Sequence, residues 1–259
     1  MAADSGGSVY KYSGGTWSQA QLLDGGGLTS VSCATSSFCV AASKSDGVYT
    51  YSSGTWSGPT PLVAAAGNGA NLTSVSCSAA GTCIATGHWN TYTYAGGRWA
   101  QGYLLEDTSF IVSVSCASGG FCMAADTGGS VYTYSGGTWS QAQQLDGGAL
   151  TSVSCATSSF CVATSSGDDA FTYSNGTWSA PSQLVGADSS AANLTSVSCP
   201  ASGQCVATGR WDTYTYSGGR WAEGHLVENT SFIASVSCAS ASFCVAADNV
   251  GNIYTYSAK

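Results

Sequence analysis

The stretch SVSCATSSFCVA, residues 30–41, constrains the fold most, because close relatives of it occur six times in the chain. Each copy has an alternating lead-in that ends in Cys, five residues, a second Cys and a short apolar run. Small and β-branched residues alternate on each side of a turn of Ser, Thr, Ala or Gly, which predicts a tight β-hairpin. With a three-residue turn at residues 35–37, Cys33 lies opposite Cys39, at a spacing that suits a disulfide.

The same spacing pairs every cysteine of the chain. The six predicted disulfides are Cys33–Cys39, Cys77–Cys83, Cys116–Cys122, Cys155–Cys161, Cys199–Cys205 and Cys238–Cys244. Paired cysteines in a long chain favour an oxidising compartment, so we expect a secreted, extracellular protein. The alternatives are reduced, buried cysteines in a cytosolic protein and, less favoured because C-x5-C lacks the usual ligand spacing, zinc sites.

The composition narrows the class of partner. Fourteen acidic residues against six basic ones give a net charge of −8, so no basic patch is expected and nucleic acid and anionic membranes are poor partners. No apolar run approaches the length of a transmembrane helix, and we recognise no signal peptide. Thirty-four Gly and only 8% charged residues suit many short strands and tight turns, so we expect an all-β fold.

The repeat extends beyond the cysteine hairpin. After each hairpin comes a segment with two aromatic residues, such as GVYTYS at residues 47–52, then a Gly-containing turn and a segment such as TWS. Four short antiparallel strands at a period near 40 residues are typical of a β-propeller blade.

A coarser repeat of 122 residues divides the chain into module one, residues 1–122, and module two, residues 123–244. We predict a single domain, a six-bladed β-propeller, in which the outer strand around Trp17 completes the sheet begun at Ser235 and residues 245–259 supply the ring-closing strand. Residues 245–259 also repeat residues 1–15, which gives seven third strands for six blades. A seven-bladed propeller with two incomplete blades is the runner-up, and self-association through the redundant terminal strand is a further option.

The blade layout resembles known families. The run of LTSVSC, FCVAAD, IYTY, a Gly turn and TWS resembles the blades of tectonin-like and other bacterial propeller lectins, and SGGTW is similar to the Asp-box of sialidase-type propellers without its Asp. The cysteine hairpin departs from both families. The resemblance implies a bacterial carbohydrate-binding protein.

The connections from the second to the third strand and from the outer to the next inner strand open on one face of the ring and hold most of the charged side chains. They are richest in the third blade of each module. An aromatic plate beside carboxylates and amides suits a sugar, whose apolar face stacks while its hydroxyls form hydrogen bonds. The candidate binding residues are His88, Trp89, Asn90, Glu106 and Asp107 in module one, and Arg210, Trp211, Asp212, Glu228 and Asn229 in module two.

A structural role competes with this interpretation, since Trp89 and Trp211 could cover the gap between blades while the carboxylates cap turns. An enzyme is the other alternative. The chain has two histidines and none of the common catalytic motifs, so no catalytic residue is assigned. A carboxylate pair of Asp212 with Glu223 or Glu228 in module two could still cleave polysaccharide, as could a site at Glu223 and His225, where the modules differ.

We therefore predict a secreted, multivalent, lectin-like protein without enzymatic activity. No cofactor is implied, although the Asp-rich loops leave Ca²⁺ as an option. The alternatives are a hydrolase or lyase that acts on polysaccharide through module two, and a structural or protein-interaction propeller.

Overall fold

A computed structural model describes residues 1–67, 69–117, 120–187, 190–227 and 230–257. These residues form 32 short β-strands and no helix, which confirms the all-β prediction. The chain divides into two compact units, Met1–Gly120 and Phe121–Lys259.

The first unit contains three sheets and one further strand. Sheet one is in two parts: β1 (Ala2–Ala3), β2 (Ser8–Tyr10) and β5 (Gln21–Leu22) pair with one another, and β3 (Tyr12–Ser13) pairs with β4 (Thr16–Trp17). Sheet two holds β6 (Leu28–Thr35), β7 (Phe38–Ser43), β8 (Gly47–Ser52) and β9 (Thr55–Pro61). Sheet three holds β10 (Ser74–Ala79), β11 (Thr82–Thr86), β12 (Asn90–Ala95), β13 (Arg98–Trp99) and β14 (Tyr103–Leu104), and β15 (Ile111–Ala117) lies beside β10.

The second unit contains four sheets. Sheet four holds β16 (Phe121–Asp126), β17 (Ser130–Ser135), β18 (Thr138–Trp139) and β19 (Gln143–Gln144). Sheet five holds β20 (Leu150–Thr157), β21 (Phe160–Ser165), β22 (Asp169–Ser174), β23 (Thr177–Trp178) and β24 (Ser182–Gln183). Sheet six holds β25 (Ser196–Ala201), β26 (Gln204–Thr208), β27 (Asp212–Ser217), β28 (Arg220–Trp221) and β29 (His225–Leu226). Sheet seven holds β30 (Ile233–Ser240), β31 (Phe243–Asp248) and β32 (Ile253–Ser257).

Each complete sheet is an antiparallel meander whose outer strand is usually split into two short pieces. In sheet six, β28 and β29 both pair with β27, so that Tyr216 faces Trp221 and Thr213 faces His225. The third and outer strands are joined by Gly-containing turns. In sheet four the turn residues Gly136 and Gly137 have φ values of 61° and 87°, a left-handed pair that a two-residue hairpin turn requires and that glycine adopts without strain.

The number of sheets corrects the six-blade prediction. Trp17 does not complete the sheet begun at Ser235, since it pairs with Tyr12 in its own hairpin. A hairpin with a two-residue turn orders very little chain, so local pairing has the lower entropic cost. With the two parts of sheet one counted together, three sheets in one unit and four in the other make seven, which confirms the runner-up count, with sheets one and seven incomplete among the described residues.

The cysteine hairpins form as predicted, with one change at the tip. Cys33 pairs directly with Cys39, and the same register recurs in the hairpins of Cys77, Cys155 and Cys238. In these four disulfides and in Cys199–Cys205 the Cα atoms are 3.9–4.1 Å apart. Cys116 and Cys122 are disulfide-bonded as well, and no cysteine is free. The turn is shorter than predicted, because Thr35 pairs with Phe38 and a bulge lies between Cys33 and Thr35.

Neighbouring inner strands are joined by serine side chains. The backbone N–H groups of Val75 and Cys77 donate to the hydroxyls of Ser30 and Ser32, at 3.2 and 3.0 Å. The same pair of bonds joins β15 to β10, β25 to β20 and β30 to β25. The recurring Ser-x-Ser of the inner strand thus satisfies backbone donors of the next repeat, while Val and Cys side chains fill the core.

Candidate functional site

Two loops of sheet three meet as the strand order predicted. The carbonyl of Trp89, in the loop between β11 and β12, accepts hydrogen bonds from the backbone N–H groups of Leu105 and Glu106, at 2.8 and 3.3 Å. The carbonyl of His88 accepts one from Ile111 at 2.8 Å. The loop that follows the outer strand is therefore fixed against the loop that carries His88 and Trp89.

This junction presents three aromatic side chains together, which we call the unit-one patch: His88, Trp89 and Phe110. The ring of His88 lies 4.4 Å from that of Phe110 and 6.0 Å from that of Trp89, and the Trp89 and Phe110 rings are 5.9 Å apart. Trp89 keeps 37% and Phe110 45% of its surface exposed. Large aromatic side chains that stay exposed at one place are typical of a binding surface.

The equivalent loops of sheet six form the unit-two patch: Arg210, Trp211 and Phe232. Here the guanidinium of Arg210 lies over both rings, 4.2 Å from the centre of Trp211 and 4.9 Å from that of Phe232. A cation over an aromatic face is held by the ring quadrupole. The two patches are built alike, but in the second unit a ligand would first have to displace Arg210.

Asn90 and Asp212, which we predicted as ligands, are buried beneath these patches. Asn90 is 4% exposed, and its side-chain oxygen accepts a hydrogen bond from the backbone of Ala65 at 3.1 Å. Asp212 is 3% exposed and accepts one from Ala187 at 3.2 Å. Each side chain anchors the long loop that follows the preceding sheet, so in this structure it supports the site without facing solvent.

The other acidic residues predicted as ligands also differ in their exposure to solvent. Glu106 is half-buried, and one carboxylate oxygen accepts hydrogen bonds from the backbone N–H groups of Thr108 and Ser109. Asp107 is exposed. Glu228 and Asn229 lie outside the described residues. Of the acidic residues predicted in unit one, Asp107 is therefore the more accessible to a ligand.

A cavity of about 480 Å³ borders the unit-one patch and shares His88 with it. The polar side chains in its wall are a lysine, an asparagine, a histidine and two threonines, and none of the described residues that line it is a carboxylate. The complete lining is Thr29, Lys44, Asn71, Leu72, Thr73, His88 and Val112. The volume falls within the range of small-molecule sites, which is roughly 300–1,000 Å³.

The Asp-rich turns between second and third strands use their carboxylates internally. Asp126 accepts hydrogen bonds from the backbone of Gly128 and Ser130 and from the hydroxyl of Tyr132, the last at 2.9 Å. At Asp4, the backbone of Ser8 and the hydroxyl of Tyr10 act in the same way and lower the pKa of the carboxyl. Within the described part of the chain, no three His, Cys, Asp or Glu side chains are grouped so that they could hold a metal ion.

The residues considered for an enzymatic site lie at a different place in the second unit. Glu223 and His225 line a second cavity, of about 440 Å³, between sheets six and seven. The ring of His225 is hydrogen-bonded through Nδ1 to the carbonyl of Leu226 at 2.8 Å. Asp212, the carboxylate considered as a partner of Glu223, is buried under the unit-two patch and does not line this cavity.

Sequence reasoning did not assign Phe110 and Phe232 to the site, although both close the same TSF motif after the outer strand. Nothing in the sequence connects Lys44 with His88, which line the same cavity. The shared TSF motif was a usable signal for the two phenylalanines. The cavity could not be predicted, because its lining comes from two strands and three loops that are distant from one another in the sequence.

Comparisons with known proteins support the fold. No protein-family model matches the sequence, and no curated protein matches it. Among solved structures, a catalytically inactive virginiamycin B lyase from Staphylococcus aureus with quinupristin aligns with a TM-score of 0.77 at 9% identity, covering 95% of this chain and 86% of that one. The WD40 β-propeller domain of Doa1 aligns with a TM-score of 0.77 at 13% identity over 99% and 88%. YCF48 bound to D1 peptide aligns with a TM-score of 0.72 at 14% identity over 95% and 83%.

At these identities the similarity establishes the fold class alone, and that class is the β-propeller with seven blades. The neighbours include a lyase and propellers of other functions, so a lectin relationship does not follow from them. The disulfides indicate an oxidising environment. No helix in the described residues is long and apolar enough to span a membrane.

Proposed function

We propose that the chain binds carbohydrate through the unit-one patch and the adjoining cavity. The observation that carries this proposal is that His88 belongs to both: an exposed aromatic surface and a cavity that contains hydrogen-bonding side chains meet at one residue. A pyranose ring needs this combination, an apolar surface for its C–H face and hydrogen-bonding groups for its hydroxyls. Trp89 and Phe110 supply the first, and Lys44 and Asn71 are among the groups that supply the second.

The unit-two patch is a second, weaker site in this proposal. Its two rings come from the equivalent loops, but a sugar would have to displace Arg210 from the faces of Trp211 and Phe232 before stacking. A cation–π contact at an exposed position contributes about 0.5–1 kcal/mol, so the second site should bind a few-fold more weakly. Two sites on one chain would raise avidity for a repetitive glycan, which suits a secreted protein with disulfides.

The test is glycan-array screening followed by titration calorimetry with the best oligosaccharide. Trp89→Ala should weaken the tighter site about tenfold, since it removes both stacking and apolar burial. Trp211→Ala is the matched control, because it makes the same change at the equivalent loop of the other unit. It should leave the tighter site unchanged and remove the weaker one. Wild-type affinity and stoichiometry in Trp89→Ala would refute the proposed site.

A hydrolase or lyase can be distinguished from a carbohydrate-binding protein by the products that it releases. Under that alternative, incubation with polysaccharide would release reducing ends or unsaturated products, and Glu223→Gln or His225→Ala would stop the release. A carbohydrate-binding protein releases nothing, and neither change affects the affinity of the unit-one site.

A further inference from the structure

The two threonines of the cavity beside the unit-one patch use their protons inside the protein. Thr29 lies in β6, and its hydroxyl donates to the carbonyl of Ala42 at 3.2 Å. Thr73 directly precedes β10, and its hydroxyl donates to the carbonyl of Thr86 at 3.2 Å. A hydroxyl whose proton is used in this way offers only its lone pairs to a ligand. The threonines can therefore accept hydrogen bonds from the hydroxyl groups of a sugar.

The donors of the cavity come from two loops that follow second strands. Lys44 lies after β7 and His88 after β11. The ammonium of Lys44 has three N–H donors, and within the described part of the chain it has no hydrogen-bond or ion-pair partner. An imidazole ring has at least one N–H donor as well. Two donor side chains, one of them a full positive charge, thus line the same cavity.

Both loops are fixed through the backbones of these two residues. The N–H of Lys44 donates to the carbonyl of Gly27 at 3.0 Å, and the carbonyl of His88 accepts from Ile111 at 2.8 Å. A ligand would therefore have to order the two side chains but not the loops that carry them. Preformed loops lower the entropic cost of binding.

The carboxylates of these loops are engaged elsewhere or lie outside the cavity. Asp46 accepts a hydrogen bond from the backbone of Asn71, and Glu106 accepts from backbone N–H groups of its own loop. Asp107 is exposed and is not among the residues that line the cavity. The positive charge of Lys44 is therefore available to an anion.

We propose that the unit-one site takes an acidic carbohydrate, a glycan whose sugar ring carries a carboxylate or a sulfate group, and that Lys44 and His88 bind this anionic group. This inference rests on the proposed function and adds the class of sugar to it. The apolar face of the sugar would stack on Trp89 while its hydroxyls donate to the two threonines. The anionic group would accept charge-assisted hydrogen bonds from Lys44, which are stronger than bonds between neutral groups.

Unit two has the same backbone at this place without the lysine. Ser166 stands where unit one has Lys44, and its N–H donates to the carbonyl of Ala149 at 2.9 Å, as that of Lys44 does to Gly27. Arg210 stands where unit one has His88, and its guanidinium lies over the two rings of the unit-two patch. The second unit therefore lacks the cation that we assign to the anionic group.

The charge of the loop differs as well. The loop of Ser166 carries two adjacent aspartates, Asp168 and Asp169, and no base. Burial, with contributions from the charges of Asp146 and Asp168, raises the pKa of Asp169, so this loop lies in a negative environment. We therefore expect a preference for acidic glycans in unit one and not in unit two.

The test compares acidic glycans with neutral forms of the same glycans. An array should present each oligouronate beside its methyl ester, and each sulfated oligosaccharide beside its desulfated form. The two kinds of pair show which anionic group the site takes. Titration calorimetry on the best pair at low salt should give about fivefold or greater tighter binding of the acidic member. The difference should shrink at high salt, because salt screens an exposed ion pair.

Three variants of the lysines identify the group responsible. Lys44→Ser gives unit one the residue of unit two, and it should remove the preference without a change in Tm, because Lys44 is exposed. Lys44→Arg keeps the charge and should keep the preference. Lys11→Ser is the matched control: it removes the same charge outside the cavity, from an ammonium that lies 3.3 Å from the hydroxyl of Tyr51. This control should bind both members of the pair as the wild type does.

Two results would overturn the inference: equal affinity for the acidic and neutral members at low salt, or an unchanged preference in Lys44→Ser. If Trp89→Ala still weakens binding of the glycan in either case, the carbohydrate site stands and only the acidic class is wrong. If no glycan of either kind binds, or if Trp89→Ala binds as the wild type does, the proposed function itself is refuted.

Discussion

Two equivalent tyrosines in unlike surroundings give the sharpest test of the energetics of this fold. Tyr92 in sheet three and Tyr132 in sheet four occupy the same position of the third strand, and both are buried. The hydroxyl of Tyr132 donates to the buried carboxylate of Asp126 at 2.9 Å. The hydroxyl of Tyr92 is buried and has no hydrogen-bond partner among the described residues. The same Tyr→Phe change should therefore have opposite consequences at the two positions.

Tyr132→Phe removes a hydrogen bond to a charged group and leaves a buried carboxylate with one donor fewer. Such a loss costs about 2 kcal/mol. For a chain of this size, about 2 kcal/mol corresponds to a fall in Tm of about 4–8 °C. Tyr92→Phe removes a buried hydroxyl that gains nothing in the folded state, so the free energy of unfolding should stay unchanged or rise by up to about 1 kcal/mol. Sheet five supplies a natural precedent, because Phe171 stands at this position and is buried.

Urea unfolding followed by fluorescence, with the disulfides intact, measures both changes. The slope of unfolding free energy against urea should be the same in both variants and in the wild type, since neither change alters the surface that unfolding exposes. A loss of stability in Tyr92→Phe equal to that in Tyr132→Phe would refute the reasoning, because it would mean that the Tyr92 hydroxyl is satisfied.

Two further predictions concern pH. Burial, with a contribution from the charge of Asp46, raises the pKa of Tyr92 to about 12. An unfolded tyrosine ionises near pH 10, so between these values the unfolded state loses the proton first and stability should fall as pH rises. Urea midpoints of wild type and Tyr92→Phe should diverge over this window, and parallel curves would contradict the prediction. At acid pH, burial acts to raise the pKa of Asp248, but hydrogen bonds from Ser231, Asn252 and Val250 outweigh it and lower the pKa. The stability that Asp248 contributes is thus present above the unfolded value near 4 and lost as pH falls below it, so Asp248→Asn should show a shallower acid dependence of Tm.

The sequence was sufficient for the features that depend on local pattern. Alternation and the five-residue interval predicted the cysteine hairpin, and the pairing of Cys33 with Cys39 is as expected. The position of the loops also followed, since the order of strands in a meander decides which connections lie together.

The number of sheets could not be predicted, because Trp17 had two third strands of nearly the same sequence to choose from, at Tyr12 and at Tyr256. Side-chain chemistry does not separate them, whereas the short turn at Gly14 and Gly15 favours the local partner. The structural roles of Asn90 and Asp212 could not be predicted from the sequence either. An exposed amide or carboxylate can contact a ligand, whereas a buried one can only hold a neighbouring loop. The sequence of a loop does not indicate which of its side chains are buried.

The serine bonds between inner strands have a consequence for how such a chain can grow. The inner strands β10 and β25 each offer two serine acceptors to the next inner strand and two N–H donors to the preceding one, so each of these repeats is compatible with a copy of itself. Duplication of a repeat would then lengthen the series of sheets without requiring any new contact between inner strands. Selection would be left to act on the connecting loops, and there the two halves have diverged, to a histidine at His88 and an arginine at Arg210.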